Sequence, residues 1–228
     1  MNLIPRSLFA TLLILLGTVH VVYAQDISLL PKYGDVVKSP EQLDADRKFL
    51  SAVDSRYKND RSTAAIDIAN AGWDALRMGN IEKAMRRFNE AWLLDHHNLL
   101  ALWGMAVMAM NAGQYDTAHQ LFVEADPLSH GDAAFTTDYA KALSVIGVKT
   151  QNPALVKDAF KRFAAIYSNN PKQVPNLQNW AIALFYTGDY AAAWQKIQLA
   201  EAAPDSALID PNFIAALSSK MARPKAKS

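Results

Sequence analysis

The chain has 228 residues, 23 basic and 22 acidic side chains, a formal charge of +1 and no cysteine. The charge balance gives no electrostatic case for nucleic acid as a partner. The absence of cysteine excludes disulfides and thiol chemistry, and the length suits one domain behind a short leader.

Residues 1–24 have the pattern of an export signal. Arg6 supplies positive charge, Leu8 to Leu16 form a short apolar stretch, and Val22 and Ala24 stand at the −3 and −1 positions of a small-residue cleavage site. Cleavage there makes Gln25 the first mature residue and leaves 22 basic and 22 acidic side chains. The expected location is then the periplasm, across an inner membrane, with no membrane span in the mature chain. The alternative is an anchor through residues 8–24, a stretch that is short for a bilayer and contains His20.

Residues 25–62 divide into a lead-in and a helix. Pro31 and Gly34 interrupt any helical period up to residue 38. Ser39-Pro40-Glu41-Gln42 then reads as a helix start, with Ser39 as cap, Pro40 in the first turn and Gln42 closing a capping box. Phe49, Leu50 and Val53 give that helix an apolar stripe, and the polar run Lys58 to Ser62 ends it.

A repeat begins next. Gly79, Ala84, Phe88 and Ala91 return 34 residues later as Gly113, Ala118, Phe122 and Ala125. A period of 34 predicts helix–turn–helix units that bury their apolar faces only by stacking. The first unit runs from Ala65 to Asn98, with its turn at Gly79-Asn80. The second runs from Leu99 to about Asp132, with its turn at Gly113-Gln114-Tyr115 and a connecting loop over Ser129 to Asp132. Small residues such as Gly72 and Ala84 allow close helix approach, and Phe88 fills the space between units.

The third unit breaks the period, because Phe122 is followed by Phe163, a step of 41. With Gly147 placed at the turn and Ala159 on the second helix, the extra residues fall between the helices, around 148–153. Asn152-Pro153 is the new cap and first turn. The fourth unit resumes the frame at Gly188-Asp189-Tyr190, with Ala193, Ile197 and Ala200 following. The repeats thus span 63–203. A capping helix over 204–222 starts at Asp210-Pro211, and the basic tail 223–228 holds little that could pack.

The segment Gly79 to Asp95, GNIEKAMRRFNEAWLLD, resembles the tetratricopeptide-repeat (TPR) family, and the whole chain resembles exported bacterial members of it. The resemblance covers about residues 65–200. It implies an all-α fold, a right-handed α-solenoid of helix–turn–helix repeats with terminal capping helices. It also implies that first helices line a concave groove holding a peptide or helix of another protein. The groove positions so implied are Trp73, Leu76 and Arg77 in the first repeat. In the second they are Trp103, Val107, Met110 and Asn111, and in the fourth Ile182, Phe185 and Tyr186. Trp73 and Trp103 are candidate anchors for a partner. The alternative is that the helix around Phe49 fills the groove and makes them core.

Other constellations carry little chemistry. His96 and His97 are adjacent and so do not share a helix face, and His119 and His130 have no metal-ligand spacing with them. Ser129-His130-Gly131-Asp132 contains the residue types of a hydrolase triad, but four consecutive loop residues cannot converge as that chemistry requires. Arg86-Arg87 reads as a solvated face. No cofactor, metal or catalytic residue is expected. The expected function is a non-enzymatic adaptor or scaffold for an envelope or secreted protein. Alternatives are an inhibitor or immunity protein for an exported toxin, acting through the inserted loop, and an accessory factor of secretion or envelope assembly.

Overall fold

The computed structural model describes residues 26–224, and every regular element among them is helical. The expected signal and the last four residues of the tail lie outside the described part. Ten α-helices run in order: α1 Pro40–Tyr57, α2 Arg61–Arg77, α3 Ile81–Leu94, α4 Leu99–Asn111, α5 Tyr115–Ala125, α6 Ala133–Lys149, α7 Pro153–Asn169, α8 Val174–Tyr186, α9 Tyr190–Glu201 and α10 Pro211–Lys220. Among the described residues no helix is long and apolar enough to cross a membrane.

Local chemistry sets the helix ends. Ser39 accepts from the Gln42 amide while the Gln42 side chain accepts from the Ser39 amide at 2.8 Å, so the capping box is complete. Asp60, Asn80, Asn98, Asp132 and Asp189 cap α2, α3, α4, α6 and α9 in the same way, by accepting from an amide of the first turn. The turn glycines Gly79, Gly113 and Gly188 have φ near 74°, 72° and 85°, a left-handed backbone that a Cβ disfavours.

The pairs α2/α3, α4/α5, α6/α7 and α8/α9 form four hairpins. Each first helix touches the next first helix, whereas successive second helices scarcely meet. The first helices α2, α4, α6 and α8 are therefore the crowded inner layer of a curved α-solenoid. Phe88, Phe122, Phe163 and Ile197 occupy equivalent places on the second helices, and all four are buried.

Phe88 explains the glycines around it. A Cβ on Gly72 of α2 would lie 2.7 Å from the Phe88 ring, and one on Gly104 of α4 only 2.3 Å. The ring is seated against two helix backbones, which lets α2, α3 and α4 approach more closely than larger residues would permit.

The third repeat differs from the sequence expectation. Gly147 is not at the turn; it is buried inside α6 against Val156 of α7. The turn is Thr150 to Asn152, no longer than in the other hairpins, with Gln151 at φ 53°. The extra residues sit in the helices instead. α6 has 17 residues where α4 has 13, and Phe163 stands ten residues after the start of α7 where Phe122 stands seven after the start of α5. Each helix gains about one turn, and whole turns keep the buried face in register with its neighbours. Asn152-Pro153 caps α7 as expected.

The two ends are covered. Val53 of α1 packs with Ala64, Ala65 and Leu94 at the open end of the first hairpin, flanked by Phe49, Leu50 and Tyr57. Helix α10 lays Leu217 and Phe213 on the fourth hairpin around Trp194, the largest fully buried side chain. The Trp194 indole donates to the Met221 carbonyl at 3.0 Å. Arg223, expected in an unpacked tail, pairs with Glu201 and lies over the Trp194 ring. Neither α1 nor the lead-in fills the inner face. The lead-in crosses the outer side of α3 as two short 3-10 turns, Ile27–Leu29 and Pro31–Asp35.

Candidate peptide-binding groove

Trp73 and Trp103 lie on adjacent first helices, but they are seam rather than free anchors. Their rings meet edge to face at 5.0 Å, and each is half-buried. The Trp73 indole donates to the Leu100 carbonyl at 3.1 Å, and Trp103 donates to Asp138 of α6 at 3.0 Å. Trp73 also meets Phe88, and Trp103 meets Phe135. With both N–H donors used internally, these rings stitch α2, α4 and α6 together.

The open part of the inner face lies further along the chain. Between α4 and α6 is a cavity of about 250 Å³ lined by Val107, Met110, Asn111, Asp138, Lys141, Ala142 and Val145, with Phe122 among its walls. A second, of about 160 Å³, is lined by Ser144, Val145, Val148, Lys149 and Tyr186. Val145 belongs to both, so the two form one trough from α4 across α6 to α8.

Four of the sequence-derived positions line it: Val107, Met110, Asn111 and Tyr186. Leu76 is half-buried in the main core and Arg77 pairs with Asp74 on its own helix. Ile182 is half-buried on α8. Phe185 turns to the carboxyl-terminal cap, packing on Tyr190 and Phe213. Asp138, Lys141 and Val145 of α6 carried no functional expectation from sequence, and Val148 and Lys149 counted only as part of the inserted stretch 148–153. The broken period removed the frame that would have numbered them. Their spacing of three and four residues along one helix was the signal available.

The trough is apolar with two cations at its rim. Lys141 and Lys149 are exposed, and neither forms an ion pair among the described residues. Burial pushes the Asp138 carboxyl above its ordinary value, opposed by the Trp103 N–H and by nearby Lys141. Its acceptor capacity is directed to Trp103, which leaves the lysines as the accessible charges.

The second and third repeats join away from the trough. That junction is the seven-residue connection Asp126 to Asp132, in which His130 and Gly131 have positive φ. Arg162 of α7 bridges it. Its guanidinium donates twice to Asp126, at 2.9 and 2.8 Å, and once to Asp158 at 3.1 Å. It also covers the Tyr139 ring at 4.2 Å, and Tyr139 stacks on Phe122 at 5.0 Å.

Among solved structures, a thermophilic TPR protein of Thermus thermophilus matches with a TM-score of 0.60 at 16% identity, over 70% of this chain and 84% of that one. The fold is that of a TPR solenoid. YrrB, described as a TPR protein with an unusual peptide-binding site, matches at a TM-score of 0.32 and 18% identity, over 75% of this chain and 97% of that one. No protein-family model and no curated protein matches the chain. The inner trough of this TPR solenoid joins an apolar floor to a basic rim.

Proposed function

We propose that this TPR solenoid is a non-enzymatic adaptor that holds a segment of another protein in the trough across α4, α6 and α8. The observation that carries the reading is an apolar floor of Val107, Met110, Val145 and Val148 beside two exposed lysines that form no ion pair among the described residues. Such a surface on a rigid scaffold favours an apolar side chain flanked by acids. Lys141 and Lys149 are eight residues apart on one helix, about 12 Å by helical rise. An extended segment covers that span in about four residues. The fitting segment therefore carries acids about four positions apart with an apolar anchor between them. The export pattern of residues 1–24 supports a periplasmic setting and an envelope or secreted partner.

The toxin-inhibitor reading rested on an irregular loop at 148–153, and a three-residue turn gives it no support. A role as accessory factor of secretion or envelope assembly would use the same trough.

The test is capture from envelope extract by the full chain and by Lys141→Glu/Lys149→Glu/Tyr186→Ala. These residues are exposed, so the helical signal should not change. Loss of specific bands is expected. Capture of the same bands by the variant would refute the trough as the binding site.

A further inference from the structure

The lead-in, residues 26–37, is itself a bound peptide. It lies on the outer face of the solenoid, away from the trough, and Asn89 of α3 organises its contact. Asn89 is only 1% exposed. Its Nδ2 donates to the carbonyls of Ser28 at 2.9 Å and Leu30 at 2.8 Å, and its Oδ1 accepts from the Tyr33 amide at 3.4 Å. All three bonds are to main chain, so Asn89 reads backbone rather than side chains. Charges mark the start and the middle of the lead-in. Arg86 donates to Asp26 at 3.0 Å, and Lys32 donates to Glu124 of α5 at 3.2 Å.

Three observations mark this strap as replaceable. Residues 27–33 are half-buried and 34–37 are exposed, so one side of the strap and all of its second half face solvent. Lys32, Tyr33, Gly34 and Asp35 have φ of 53°, 56°, 73° and 51°, a left-handed run that three of them, bearing side chains, disfavour. Beside the strap, the Trp92 ring lies 5.7 Å from the Lys32 ammonium, and its indole N–H is buried with no acceptor among the described residues.

We propose that the outer face of α3 and α5, centred on Asn89, is a second peptide site, which the chain closes with its own residues 26–35 and which opens to a segment of another protein that takes up the same turns when the strap leaves. The segment that fits has an acid at its start and a lysine six positions on, as Asp26 and Lys32 are placed against Arg86 and Glu124. Val36 and Val37 serve as the hinge. Val36 is extended and both are exposed, Val37 at 99%.

A fluorescent peptide of residues 26–38 is the probe. It is titrated into the full chain and into full-length Asp26→Ala/Lys32→Ala, whose changes lie in the strap and spare the receiving face. Hydrogen exchange at the Tyr33 amide, which donates to Asn89 and also to the Leu30 carbonyl at 3.1 Å, reads release of the strap together with loss of its turn. The expected result is at least tenfold tighter binding to the variant, with faster Tyr33 exchange. Adding Asn89→Ala should abolish binding. Adding Arg86→Glu, on the exposed surface, should weaken it in a chain whose fold is intact. Equal affinity for both chains, unchanged Tyr33 exchange, or binding that survives Arg86→Glu would overturn the proposal. So would dimers of the variant that exclude the peptide, because they would give the face to the strap of a second copy.

Discussion

Gly104→Ala sets two known effects against each other. In an exposed helix interior the change stabilises, because alanine exceeds glycine in helix propensity by roughly 0.5–1 kcal/mol. Here the new Cβ would stand 2.3, 2.4 and 2.6 Å from three atoms of the Phe88 ring. Ordinary carbon contacts begin near ~3.5 Å, so something must move by about an ångström. The ring cannot retreat freely, since it also lies against Gly72. Overpacking of a filled core costs typically ~1–3 kcal/mol, and a clash this deep belongs at the upper end. After the propensity gain, a net loss of about 2 kcal/mol is expected. For a chain of this size that lowers the melting temperature by roughly 4–8 °C. Urea titration followed by circular dichroism at 222 nm (~2 kcal/mol being well resolved by that assay) measures it. A second arm trims the ring: Phe88→Leu in the Gly104→Ala background should cost less than the sum of the single changes, by about 1 kcal/mol. A Gly104→Ala chain as stable as the parent, or more so, would refute the argument that this glycine exists for close approach.

Arg162→Ala should destabilise by about 1–3 kcal/mol, because it removes a bidentate, half-buried ion pair and uncovers the Tyr139 ring; thermal melts at two salt concentrations would measure this. Asp138 gives a pH test. Its raised folded pKa means that the folded chain holds the proton more tightly than the unfolded chain. Its contribution is therefore present below the ordinary value of 3.8 and is lost as pH rises through the raised value. Asp138→Asn, which can still accept from Trp103, should flatten that part of the stability profile, and an unchanged slope would remove Asp138 as its source. Trp194→Ala should cost about 3–5 kcal/mol and loosen α10, read as faster hydrogen exchange over 211–220.

Much of the fold was legible because repeats reduce tertiary structure to local rules. The spacing of Gly79, Ala84, Phe88 and Ala91 determined where the second helix begins, which face is buried and how the next unit stacks. Ser39-Pro40-Glu41-Gln42 specified a helix start that needs no distant partner. The candidate site was less legible. Trp73 and Trp103 look alike as exposed anchors or as packed seam, since an indole suits both. Their hydrogen bonds to Leu100 and Asp138 decide, and those partners lie 27 and 35 residues away.

By itself, then, the sequence determined the class of fold, the helix ends outside the third unit and the four-unit stacking, because each follows from contacts within about one repeat length. Tertiary structure alone decided the rest. It placed the seven extra residues as one turn on each of α6 and α7, because only whole turns preserve both buried faces. It moved the open trough to α6, and it laid the lead-in on the outer face of α3 rather than in the groove. Those outcomes depend on which surfaces remain uncovered after the helices have packed, and periodicity carries no record of that.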